Sequence, residues 1–151
     1  RAPLCAADCM ERRRSPMPPA RPLVLIVDGH DDTRDMYASA LTVLDFETMT
    51  DCGDAQVFER AWATRPDVIV TELTLPGTDG WSFVRDLKRD ARTRDIPVVV
   101  VTACGQACVR EQAETEGCAA FFVKPCLAED LATELRHVLE RHAHAQVAAS
   151  R

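Results

Sequence analysis

Four residues far apart in the chain carry side chains suited to handling charge: Asp28, Glu72, Thr102 and Lys124. Each stands at or just past the end of a short apolar run: Leu23 to Val27, Val68 to Leu73, Val98 to Thr102, and Ala119 to Val123. Carboxylates take up hard cations or protons, a hydroxyl hydrogen-bonds an anionic oxygen, and an ammonium pairs with either acid. Taken singly they are ordinary. A threonine at a strand end usually caps a turn, and a lysine before a proline usually sits in a loop. Only their joint occurrence after successive apolar runs points to a functional rim.

The elements that must gather these residues follow from the pattern. Short apolar runs alternate with segments of helical period, as repeated βα units and a parallel sheet require. The nearly all-apolar runs suit central strands covered on both faces, while the half-polar run Thr48 to Cys52 suits an edge. Met36, Ala40, Leu41 and Leu44 are expected on one helix face; Leu127, Leu131, Leu135, Val138 and Leu139 on another. Trp81, Val84 and Leu87 mark a middle helix, and Ala107 to Glu116 a shorter one ended by Gly117. Asp31 or Asp32, and Asp54, stand where helix N-caps belong. In a doubly wound sheet the loops at the carboxyl ends of the strands share one edge, and ligands bind there where strand order reverses. Asp28, Gly29, His30, Asp31, Glu72, Thr102 and Lys124 would all meet on that edge.

The bulk properties bound the functional classes. A chain of 151 residues fits one domain with short tails, and 46% hydrophobic with 28% charged residues is a globular composition. We divide it into an Arg/Pro-rich leader at 1–20, one domain at 21–143 and a tail at 144–151. The 24 acidic against 18 basic residues, net −6, argue against direct nucleic-acid binding. No apolar run reaches the roughly 20 residues of a membrane span, and the N-terminal stretch has no secretory apolar core. The seven cysteines lack CxxC spacing and fit a reducing, cytoplasmic setting. Cys5 with Cys9 and Cys104 with Cys108 read best as small buried or tail thiols. Arg12, Arg13 and Arg14 read as a solvated charge run.

Four motifs together resemble the receiver domain of response regulators in two-component, or phosphorelay, signalling. They are Val27-Asp28 with Asp31 and Asp32; Pro66 to Val70 leading to Leu75-Pro76-Gly77-Thr78-Asp79-Gly80; Val101-Thr102-Ala103; and Val123-Lys124-Pro125. They occur in the family's order and spacing and span about Arg21 to Ala143. The resemblance implies a flavodoxin-like, doubly wound α/β fold with five parallel strands in the order 2-1-3-4-5. It implies phosphoryl transfer from a sensor histidine kinase or phosphotransfer protein to an aspartate, assisted by Mg2+. It also implies metal ligation by Asp28, the carbonyl of Thr74 and the acceptor carboxylate. Lys124, after a cis peptide to Pro125, would pair with the acceptor or phosphoryl group, Thr102 would bond the phosphoryl oxygen, and Phe121 would be the aromatic switch. Such a domain is not expected to be an enzyme.

Two departures bear on the mechanism. Glu72 stands at the phosphoacceptor position, and its extra methylene moves the carboxylate by roughly 1.5 Å, where about 1 Å of misplacement can cost a hundredfold in rate. Gly29 replaces a metal-binding acid, so Mg2+ affinity should be weakened. Asp28 and Glu72 would then repel each other and lean on Lys124. A phosphorylation-independent pseudo-receiver is expected, with a conventional phosphoryl-accepting receiver as the alternative. Glu72 would either imitate the phosphorylated state or mark a docking module acting through the last two helices and the fifth strand, near Arg110, Glu114 and Arg136. A downstream target on those helices and a homodimer are both compatible with the sequence. A flavin-binding flavodoxin-like protein fits poorly, because the acidic Asp28 to Asp32 stretch has the wrong sign for a flavin phosphate. An aspartyl phosphohydrolase would need a second acid where His30 stands. His30 itself reads as a solvated loop residue, and His137, His142 and His144 as inert helix and tail residues.

Overall fold

The computed structural model describes residues 20–151. The leader up to Pro19, with its arginine triplet and the Cys5 and Cys9 pair, lies outside the described residues. Strands β1 (Leu23–Val27), β2 (Glu47–Asp51), β3 (Val68–Thr71), β4 (Val98–Thr102) and β5 (Ala120–Val123) alternate with five helices. These are α1 (Asp31–Val43), α2 (Val57–Thr64), α3 (Gly80–Arg89), α4 (Ala107–Thr115) and α5 (Ala128–Ala149). All strands pair in parallel, in the order β2-β1-β3-β4-β5 expected from the resemblance.

Alternation along the strands divides the core into two layers. Val24, Ile26, Val70, Val99 and Val101 face Tyr37, Leu41, Leu131, Leu135 and Val138 of α1 and α5. Leu25, Val27, Ile69 and Val98 face Val57, Ala61, Phe83, Val84 and Leu87 of α2 and α3. Burial on both faces accounts for the uninterrupted apolar runs of β1, β3 and β4, and β2 lies at an edge as its polarity predicts.

Several local expectations shift. The buried face of α1 is Tyr37 and Leu41, while Met36 is about half exposed. The Tyr37 hydroxyl donates to the Cys126 carbonyl at 2.9 Å, which turns that face toward α5. Leu127 is not on the buried stripe of α5 but precedes the helix as an exposed N-cap. Helix α1 is capped by His30, so Asp31 and Asp32 lie in its first turn, where carboxylates still favour the positive end of the helix dipole. Asp54 sits two residues ahead of the α2 cap and accepts the Gln56 amide at 2.9 Å. Strand β3 ends at Thr71, ahead of Glu72, and α5 runs on to Ala149, into the stretch set apart as a tail. The alanines at 143, 145, 148 and 149 favour helix, and no glycine or proline interrupts them. No helix among the described residues is long and apolar enough to cross a membrane.

One glycine fixes the approach of α3 to the site. A Cβ at Gly80 would stand 2.4 Å from the Leu73 carbonyl oxygen, so only glycine lets the first turn of α3 press against the backbone just past Glu72. The Asp79 carboxylate accepts the Ser82 amide at 3.2 Å and starts that helix.

Candidate functional site: a carboxylate–lysine rim

The strand register brings the rim together. Val27 pairs with Thr71, so Asp28 and Glu72, the next residues, emerge side by side, and the Glu72 amide donates to the Val27 carbonyl at 2.9 Å. Thr102 pairs with Val123, and the Lys124 amide donates to the Thr102 carbonyl at 2.8 Å. The Lys124–Pro125 bond is cis, as the resemblance implies. The Lys124 ammonium stands 2.6 Å from Asp28 Oδ2 and 3.0 Å from Glu72 Oε2. The acid side chains are only 5% and 6% exposed, so one cation bridges two buried carboxylates.

Every oxygen of those carboxylates has a partner. Asp28 Oδ1 accepts the His30 amide at 2.9 Å. Glu72 Oε1 folds back onto the Leu73 and Thr74 amides at 2.6 and 3.3 Å. The added methylene permits this, because it lets the carboxylate reach its own following backbone. Burial pushes the Glu72 carboxyl up, but hydrogen bonds from Thr102, Lys124 and the Leu73 amide outweigh it and hold the group below its ordinary value. Burial alone would lower the Lys124 ammonium, and bonding to Asp28 and Glu72 raises it instead.

Thr102 is buried at the end of β4, and its hydroxyl accepts the Cys104 amide at 3.3 Å. Phe121 is half-buried on β5, with the Arg110 guanidinium stacked 4.8 Å from its ring centre. Thr74 lies in the β3–α3 loop, bridged to Asp79. Sequence reasoning missed Arg34, whose Nη1 donates to the Asp28 carbonyl at 2.5 Å while Nη2 pairs with Asp31. Its signal was the three-residue spacing from Asp31 along one helix face. It also missed Asp51, buried at the end of β2 and held by Arg60 at 2.5 and 2.8 Å.

The family model described as the response regulator receiver domain matches residues 24–136. The chain belongs to the response regulator receiver family. It is similar to the phosphate regulon transcriptional regulatory protein PhoB of Pseudomonas aeruginosa, with 35% identity across 78% of this chain and 52% of that one. It is also similar to the DNA-binding dual master transcriptional regulator RpaA of Synechocystis, with 30% identity across 80% of this chain and 50% of that one. The chain thus spans about half the length of these relatives. The chemotaxis response regulator CheY4 of Vibrio cholerae shares the fold, with a TM-score of 0.72 at 24% identity over 78% of this chain and 98% of that one. As a receiver, the chain is a component of two-component signalling.

Receivers in general bind Mg2+ for phosphorylation, and the residues present here fit that ion poorly. Position 29 offers no side chain, the Asp28 and Glu72 oxygens already have partners, and Asp31 is paired to Arg34. Among the described residues no group of three or more His, Cys, Asp or Glu is placed to hold a metal.

The bridge predicts how stability depends on pH. Glu72 is held charged below its ordinary value of 4.5, so its contribution is present at neutral pH and lost as acid takes the pH down through the lowered value. Lys124 is raised above 10.5, so its contribution survives to strongly alkaline pH and is lost on passing the raised value. Thermal unfolding across a pH series should therefore show a plateau between these limits. The acid limb should be shallower in Glu72→Gln; an unchanged limb would mean that Glu72 does not contribute to it.

Proposed function

We propose that this chain is a pseudo-receiver that signals without taking up a phosphoryl group, by holding a permanent carboxylate at the phosphoacceptor position. The observation that carries this reading is the seating of Glu72. One of its oxygens is on Lys124 at 3.0 Å and the other on the Leu73 and Thr74 amides. The donors that would stabilise an incoming phosphoryl group are already used by the side chain at the centre of the site. An engaged carboxylate is a poor nucleophile, and the scarcity of metal ligands leaves phosphoryl charge uncompensated. The proposed role is binding rather than turnover, so the chain is not an enzyme. A single carboxylate supplies one charge where a phosphoryl group supplies about −1.5 to −2, so the imitation of a phosphorylated receiver is partial. Partners would be a sensor histidine kinase or phosphotransfer protein on one side and a downstream target on the last helices on the other. The acidic net charge disfavours direct nucleic-acid contact. A cytoplasmic setting is consistent with the free thiols at Cys52, Cys104, Cys108, Cys118 and Cys126.

The test is intact mass after incubation with acetyl phosphate and Mg2+. Wild-type protein should stay unmodified; an added mass of about 80 Da, one phosphoryl group, on Glu72 would make the chain a conventional receiver.

A further inference from the structure

Lysine is scarce in this chain. Of its 18 lysine and arginine residues only Lys88 and Lys124 are lysines, so these two carry its only side-chain amines. Their settings are opposite. Lys124 lies between two buried carboxylates at 2.6 and 3.0 Å, which keep it an ammonium. Lys88, half-buried in the last turn of α3, makes no salt bridge among the described residues. Its nitrogen donates instead to the Ile96 and Arg94 carbonyls at 3.1 and 3.5 Å, two neutral acceptors in the loop before β4. A cation partly withdrawn from water and held by neutral acceptors is the form that burial disfavours.

The same side chain lines a groove of about 700 Å³ at the end of the sheet opposite the rim, beside Pro97, Gly117 and Ala119. Arg94 and Asp95 face the groove from the loop and His142 from α5, with Asp67 in the adjoining hollow. Cys118, in the turn before β5, stays a thiol because burial pushes it up to about 11. Burial lowers the Lys88 ammonium below the ordinary lysine range, and the nearby Cys118 and Asp95 offset this only in part. An amine that gives up its proton is a nucleophile, and desolvated lysines attack carbonyl carbon in this way. We propose that Lys88, half-buried and open to the groove, is a covalent modification site whose amine takes a small acyl group from an acyl thioester. The Nζ–C bond forms as the C–S bond breaks, the electron pair leaves with sulfur, and the amine proton goes to the departing thiolate. The resulting amide is uncharged and keeps one N–H, so one of the two loop carbonyls loses its donor. This site lies apart from Glu72 and stands or falls separately from the reading of that residue.

The test is peptide mass mapping of the full chain after incubation with acetyl coenzyme A, beside the variant Arg89→Lys, which adds an exposed reference amine on the same helix. At neutral pH an adduct of about 42 Da, one acetyl group, should form on Lys88 about fivefold faster than on the reference amine, while Lys124 stays unmodified. That ratio should fall as the pH rises through the ordinary lysine range, where both amines become neutral. Cys118→Ser should keep the adduct, and thermal melts check that both variants remain folded. The assignment is overturned by equal or slower reaction at Lys88 at neutral pH, by preferential labelling of Lys124, or by a ratio that does not change with pH. Loss of the adduct in folded Cys118→Ser would also overturn it, because the thiol would then be the acceptor.

Discussion

Lys124→Ala should unfold at a markedly lower temperature than wild type, with a loss of about 3 to 5 kcal/mol, the range for removing one partner of a buried ion pair. The reason is the geometry of the bridge. Asp28 and Glu72 are almost fully buried, and the single ammonium lies 2.6 and 3.0 Å from their oxygens. Removing it leaves two adjacent, largely buried carboxylates without their cation. Glu72 then loses the cation that helps hold it charged, so the variant should be less destabilised at mildly acidic than at neutral pH. Denaturant unfolding at neutral and mildly acidic pH measures both effects. The double variant Lys124→Ala with Glu72→Gln should recover much of the loss, because only one buried acid remains. A loss under about 1 kcal/mol, as for exposed pairs, would show that the bridge is not structural.

The second large effect is a gain. Gly29→Asp combined with Glu72→Asp should take up a phosphoryl group from acetyl phosphate and Mg2+, visible in intact mass as an adduct of about 80 Da. Its rate should be at least about a hundredfold above wild type, the scale set by repositioning a nucleophile by about 1 Å. The backbone permits the change at residue 29, which is not among the positive-φ glycines. A Cβ there would stand 3.2 Å from Pro76 Cδ, which a shift of a few tenths of an ångström relieves. The shorter side chain at residue 72 would also release the Leu73 and Thr74 amides that Glu72 now engages. Each single variant should gain less than the pair, since one lacks the metal acid and the other the aspartate. A double variant that remains unmodified would mean that something other than these two residues blocks the chemistry.

Much of this protein was legible without coordinates. The apolar runs gave β1, β3 and β4 because strands covered on both faces leave no room for polar alternation, and the half-polar run placed β2 at an edge. The rule that ligands gather at the carboxyl ends of parallel strands was enough to bring Asp28, Glu72, Thr102 and Lys124 onto one rim. Helix faces were less legible. Met36 and Tyr37 are neighbours on α1, and the contact of the Tyr37 hydroxyl with Cys126, 89 residues away, decides which of them is buried. Spacing alone reads Asp31 as a helix cap; its pairing with Arg34 is a matter of side-chain geometry.

The sequence by itself determined the fold, the membership of the rim and the presence of a glutamate, Glu72, at its centre, because residue type and order are local facts that strand topology converts into proximity. Only the tertiary structure decided what that glutamate does with its length. The methylene bends its carboxylate back onto two amides while Lys124 holds the other oxygen. Likewise, the apolar face read for α5 ends at Leu139, and only the structure carries the helix on to Ala149, its first half packed on the core and its last turns exposed.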